Sequence, residues 1–257
     1  MNMEIENTLF TRKEMYVMEH TKNGRSTIIE NLSVKKRRKT MHENMHLMEG
    51  MTFTSGNHFP QLAPYTGTVD FELVAYNDWK KNTGVNQALH FFLDDYRFRN
   101  QLWYNLDQTT FAIRNYDYYF TPDFSMWVDL PTDFYNKESV FRTRFVGALW
   151  QQKCGYNVIP TGSWGNRDSF RYCFEGLPEN SVIAVCGTGH HHCSAAEMLF
   201  NYALRELEDQ KNPTLILVYG EEEDIPGLST PVKFLPCFIQ KKFKNGQQQK
   251  NEVGSKG

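Results

Sequence analysis

No CxxC pair occurs in this chain, and its five cysteines (Cys154, Cys173, Cys186, Cys193 and Cys237) are odd in number. A zinc ribbon, an iron–sulfur clip and a disulfide framework therefore have no local support. No secretory, transit or lipidation pattern is legible, which predicts a cytoplasmic chain with reduced thiols. No apolar run approaches the roughly 20 residues that a membrane helix requires. A bulk charge of one sign is missing as well. The formal net charge of −2 predicts no general attraction to polyanions, so local clusters matter more than the sum. The hydrophobic fraction is low at 40%, but an aromatic fraction of 14% offsets it, because each buried ring removes a large area from water. The length of 257 residues suits one large domain with extensions.

Three regions are expected. Residues 1–56 hold most of the methionines, few aromatics and the run Lys35-Lys36-Arg37-Arg38-Lys39, and they keep no steady period. They read as a partly disordered extension with one helix around 41–50. Residues 240–257 form a polar, basic tail too poor in apolar surface to offset the entropy of ordering. Residues 57–239 alternate apolar runs with helical patterns. Strands are expected at 71–76, 88–93, 116–121, 156–160, 181–186, 214–219 and 232–237. A helix over 137–153 carries the stripe Val140, Phe141, Phe145, Leu149 and Trp150, with Gly155 suited to the left-handed position beyond it. A second helix over 195–210 has Ser194 and Glu197 in capping-box spacing and Pro213 after its end. A shorter helix is expected over 167–175. The alternation predicts an α/β fold with mostly parallel strands: a barrel-like or incomplete (β/α) barrel first, an open doubly wound sheet second.

Several strands end in residues suited to a site. His90-Phe91-Phe92-Leu93 runs into Asp94-Asp95. Tyr118-Tyr119-Phe120 runs into Thr121-Pro122-Asp123-Phe124-Ser125. Val158-Ile159-Pro160 opens into Thr161-Gly162-Ser163-Trp164, and Val182–Cys186 into Gly187-Thr188-Gly189. In parallel α/β folds ligands collect at the carboxyl ends of strands, which predicts a shared rim there.

His90 to Phe98, Thr121 to Ser125, Arg144-Phe145-Val146-Gly147, Val158 to Thr161 with Trp164, and Phe174-Glu175-Gly176 stand in fixed order. Over roughly 60–235 the chain resembles domain-of-unknown-function family 4417, which is associated with phages, plasmids and related mobile elements. The resemblance implies a mobile-element setting and a shared site at the motif loops, and it implies no activity. Gly189-His190-His191-His192-Cys193 departs from the family pattern.

Asp94, Asp95 and Asp123 each follow a strand, with Asp129 close behind. Converging carboxylates can hold magnesium or manganese and steady a phosphate, or run paired acid/base chemistry on a glycoside. Aspartate also caps helices and closes turns. Arg97 suits a phosphate or carboxylate, and of Arg142 and Arg144 one is expected in an ion pair with Asp129 or Asp133. Thr161 and Ser163 offer hydroxyls and Trp164 a flat face, whether for a ligand or as a plug. Thr188, Gly189 and His190, ahead of a helix, suit an anion or a tight turn. His190, His191, His192 and Cys193 admit one or two zinc or iron ligands, a proton donor, or an ordinary loop. Glu221-Glu222-Glu223-Asp224 follows the strand at 214–219 and puts Glu221 where a catalytic acid would sit, or is a solvated run. Lys35, Lys36, Arg37, Arg38 and Lys39 can contact phosphates without reading sequence.

Three functions fit these residues. The first is metal-assisted phosphate chemistry on DNA, RNA or a nucleotide, with Asp94, Asp95 and Asp123 on the metal. The second is a non-catalytic nucleic-acid-binding module. The third is a host-directed interaction protein, such as an inhibitor of a bacterial defence system.

Overall fold

The computed structural model describes residues 42–129 and 133–237. Eight strands are present: β1 Glu72–Ala75, β2 Gln87–His90, β3 Tyr118–Phe120, β4 Val158–Ile159, β5 Thr161–Gly162, β6 Val182–Cys186, β7 Leu215–Tyr219 and β8 Val232–Leu235. They form two four-stranded sheets, β1-β2-β3-β4 and β5-β6-β7-β8, and every pairing is parallel. The α-helices are α1 Leu106–Ala112, α2 Asp133–Ala148 and α3 Ser194–Lys211.

Only Pro160 separates β4 from β5. Proline has no N–H to give a ladder, which interrupts the pairing at that point. The neighbouring groups are still satisfied. The Pro160 carbonyl accepts from the Ala184 amide at 2.8 Å, and the Thr161 amide donates to Thr121 Oγ1 at 2.8 Å. Residues 158–162 thus run between β3 and β6 and link the two sheets. Strands follow one another in chain order across both sheets, without the reversal of a doubly wound fold.

No ladder joins β8 to β1 among the described residues, so the structure has no closed barrel. The two edges are bridged by a side chain: Lys233 Nζ donates to the Val69 carbonyl at 2.7 Å.

Strand side chains alternate between two cores, as pleating dictates. Ala88, Phe120, Ile159, Ala184, Leu217 and Leu235, drawn from both sheets, share one core. Tyr65 packs into it, and its amide donates to Ser181 Oγ while its carbonyl accepts from the Val182 amide, each at 2.9 Å. Leu89, Tyr119, Val158, Ile183, Ile216 and Val218 face the other way, into a larger core with Phe145, Trp150, Phe200 and Leu204. Leu47 and Met51, from the stretch expected to be an extension, also lie in this core. The Glu175 carboxylate accepts from Thr54 Oγ1 and from the Asn57 amide, tying residues 54–57 to the domain.

All seven expected strands are present within a few residues of their expected bounds; β5 is the additional one. Helix α2 starts at Asp133 and passes into a π-helical turn, Leu149–Lys153, and Gly155 takes φ 67° as expected. Helix α3 is present, but the expected capping box is not. Cys193 is the cap residue, no side chain caps the helix, and Ser194 is already inside it. The helix expected over 167–175 is a 3-10 segment, Arg167–Arg171, and the one expected around 41–50 is a kinked 3-10 segment, His42–Leu47.

Candidate functional site at the carboxyl rim

Because every strand is parallel, the ends of β2, β3, β6, β7 and β8 meet on one side. Paired glycines let the backbones close there. The Gly187 amide donates to the Tyr219 carbonyl at 2.9 Å, and a Cβ on Gly187 would sit 2.8 Å from Val218 Cγ1. Beneath the rim the His90 ring lies 4.8 Å from Tyr219 and 5.6 Å from Phe92, and Phe92 stacks on Tyr219 at 4.8 Å. These three rings fill the space between β2 and β7.

The three expected carboxylates part company. Asp94 is exposed and pairs with Arg97 Nε at 3.3 Å, while Arg97 lies over the Tyr96 ring. Asp95 accepts from the Ser125 amide at 3.0 Å, from Ser125 Oγ at 2.9 Å and from Arg99 Nη2 at 2.6 Å. It is fully engaged in holding the β3 loop. Asp123 is partly buried and receives no hydrogen bond from any described residue. Burial first, and then the Asp95 charge, push its carboxyl up to about 7, against the pull of Arg144.

Arg144 is buried. Its Nε, Nη1 and Nη2 donate to the carbonyls of Glu175, Thr161 and Cys173 at 3.1, 2.9 and 2.8 Å. The expected ion pair of Arg142 or Arg144 with Asp129 or Asp133 is not formed. Arg142 bonds Glu138 at 2.7 Å, and Asp133 pairs with Arg171. The reason is geometric: α2 turns Arg144 inward, where carbonyls await it.

Thr161 is fully buried, and its hydroxyl donates to the Thr121 carbonyl at 3.1 Å, so it fastens strands together. Trp164 is half-buried, with its ring 5.6 Å from Phe200. Thr188 and Gly189 are exposed, and Thr188 Oγ1 is hydrogen-bonded to Cys186 Sγ at 3.2 Å. Burial pushes the Cys186 thiol up to about 11, with the Asp123 charge adding to it, so the group stays a thiol at neutral pH.

His190 is the best placed of the expected ligand residues. It is buried, its ring stacks on Phe200 at 4.0 Å and 6°, and its Nε2 lies 2.6 Å from Glu223 Oε1. His191 Nε2 lies 3.9 Å from Glu223 Oε2. The ligand atoms of His190, His191 and Glu223 all fall within 4.8 Å of one another, forming the metal-capable group found among the described residues. Asp94, Asp95 and Asp123 form no such group. Sequence reasoning favoured Glu221 in the acidic run, but Glu221 is exposed and Glu223 turns inward. The available signal was adjacency: the acids follow β7, and the histidines follow its neighbour β6. Lys35–Lys39 and the tail lie outside the described residues. Among the described residues no helix is long and apolar enough to cross a membrane.

These features define an all-parallel α/β protein with a polar, glycine-closed rim. The chain belongs to the family described as "Domain of unknown function (DUF4417)", whose profile matches residues 52–232. It is 36% identical over 204 residues to the "Gene 1 protein" of Mycobacterium phage L5, covering 76% of this chain and 86% of that protein. It is also 36% identical over 202 residues to the "Gene 1 protein" of Mycobacterium phage D29, covering 76% and 73%. No solved structure matches the chain.

Proposed function

We propose that this phage-related protein is an enzyme of phosphate-ester chemistry, acting on nucleic acid or a nucleotide in the cytoplasm. In this reading the two sheets are an incomplete (β/α) barrel and the reaction takes place at its carboxyl rim. One observation carries it. Asp123 stands at the rim after β3 with no hydrogen-bonding partner among the described residues, and its pKa is raised to about 7, close to neutral pH. A group with its pKa near the working pH is suited to give and take protons in a transition state. Asp94 and Asp95 are committed to Arg97, Arg99 and Ser125, which leaves Asp123 as the free carboxyl of the three.

The test is incubation of the full chain with labelled single- and double-stranded DNA and RNA, with magnesium, manganese or zinc, read on denaturing gels. Strand shortening is expected, lost by at least about a hundredfold in Asp123→Asn and kept in Asp94→Asn. Turnover that survives in Asp123→Asn would overturn the reading.

A second reading, a surface for a host protein, draws support from a different observation. Tyr104, Trp127 and Tyr135 are exposed and line one open groove, and exposed apolar groups gathered in one place mark contact surfaces. A partner captured by the wild type and lost on Trp127→Ser, without any turnover, would favour it.

A further inference from the structure

We propose that His190, His191 and Glu223 form a binding site for one divalent transition-metal ion of the zinc or iron(II) type, where the loops after β6 and β7 meet. The inference stands on these three side chains and needs no chemistry from Asp123.

The geometry of the His190–Glu223 contact is the starting point. Nε2 and Oε1 are only 2.6 Å apart, yet among the described residues neither atom has a partner in hydrogen-bonding alignment, and both are shielded from solvent. Buried polar atoms without partners are rare because each costs free energy. The ligand atoms of His190, His191 and Glu223 lie within 4.8 Å of one another, close enough for one ion to reach all three. A cation there satisfies both buried atoms.

The third ligand completes the set. Glu223 presents Oε1 to His190 and Oε2 to His191, at 2.6 and 3.9 Å. With metal–ligand bonds of about 2.0–2.1 Å, tetrahedral ligands lie roughly 3.3 Å apart, and the two separations bracket that value. Small side-chain shifts are enough to close the site.

The supports are rigid where rigidity is needed. The His190 ring is clamped on Phe200, which in turn meets Trp164. On another side, a Cβ at Gly187 would stand 3.6 Å from His190 Cε1. Among the described residues its Nδ1 has no hydrogen-bond partner, so stacking, not a carboxylate partner, sets the ring's orientation. His191 is exposed, which leaves one side of the site open to water or a substrate oxygen.

The donor set also selects the ion. Two imidazoles and one carboxylate with an open position suit zinc or iron(II), whereas magnesium prefers oxygen donors in an octahedron. An ion here would act as a Lewis acid on an oxygen ligand.

The experiment uses the untagged full chain, stripped with chelator and then titrated with zinc by calorimetry and with cobalt(II) by visible absorption. One equivalent should bind, giving tetrahedral-type cobalt bands, and a hundredfold excess of magnesium should not displace it. Affinity should fall by at least about tenfold in His191→Ala and Glu223→Gln, neither of which removes a fully buried side chain, and further in His190→Ala. Zinc should raise the melting temperature of the wild type and not that of Glu223→Gln. His192→Ala should bind as the wild type does. Substoichiometric binding, displacement by magnesium, or equal loss in His192→Ala would overturn the site. Wild-type metal binding in Asp123→Asn would separate this inference from the catalytic reading.

Discussion

Asp123 and Arg144 show how unlike two buried charges can be. Arg144 hands its donors to three carbonyls and acts as a fastener between the β5 strand and the segment 173–175. Among the described residues Asp123 has no such partners, and burial first, then the Asp95 charge, raises its pKa against the pull of Arg144. Its folded-state pKa of about 7 lies above the ordinary 3.8, so the folded protein holds a proton that the unfolded chain releases between those values. Stability from this group is therefore full below about pH 4 and is lost as pH rises through about 7. Asp123→Asn should gain roughly 1–3 kcal/mol over the wild type at pH 8 and little at pH 4, measured by urea denaturation at both. Equal effects at the two pH values would show that burial does not hold the proton. The sequence offered Asp94, Asp95 and Asp123 as equals. Which of them turns inward depends on Ser125 and Arg99, which approach Asp95 only after folding.

Elements were more legible than side-chain roles. The strands were found because apolar runs bounded by glycine, proline and aspartate carry their own signal. Helix α3 was found from the Ser194 and Glu197 spacing and from Pro213, although the side-chain cap that spacing implies does not form. Helix α1 and the π-helical turn before it, Asn100–Tyr104, gave no clear period, because Leu102, Trp103 and Leu106 are too few to mark a face. The packing of α2 onto the end of β3 supplies a test. A Cβ on Gly147 would lie 2.4 Å from Thr121 Cγ2 and 2.8 Å from Leu62 Cδ2. Helix propensity alone would make Gly147→Ala stabilising by about 1 kcal/mol. Overpacking costs about 1–3 kcal/mol and acts on the threonine that receives the Thr161 amide. A net destabilisation of about 1–2 kcal/mol is expected in chemical denaturation, and a gain would show that Thr121 yields freely.

At the scale of the whole molecule, strand order was the part that local pattern could not supply. Alternating strands and helices fit either a barrel or a doubly wound sheet; the choice depends on which side each new strand joins, a decision made between segments far apart in the chain. Here every strand joins on the same side, and one core takes residues from both sheets. The sheets should therefore melt together. Tryptophan fluorescence and far-UV circular dichroism should give superimposable urea transitions, whereas two midpoints would mean two independent units.

The shared core has a consequence for synthesis. Parallel strands cannot zip through tight hairpins, and this core draws on residues from Tyr65 to Cys237. A nascent chain can complete it only after its last strand has left the ribosome. Loops that close late make such topologies slow to fold and leave strand edges open to other chains meanwhile. For this protein the interval between translation and closure is when aggregation and proteolysis compete most strongly with the native state.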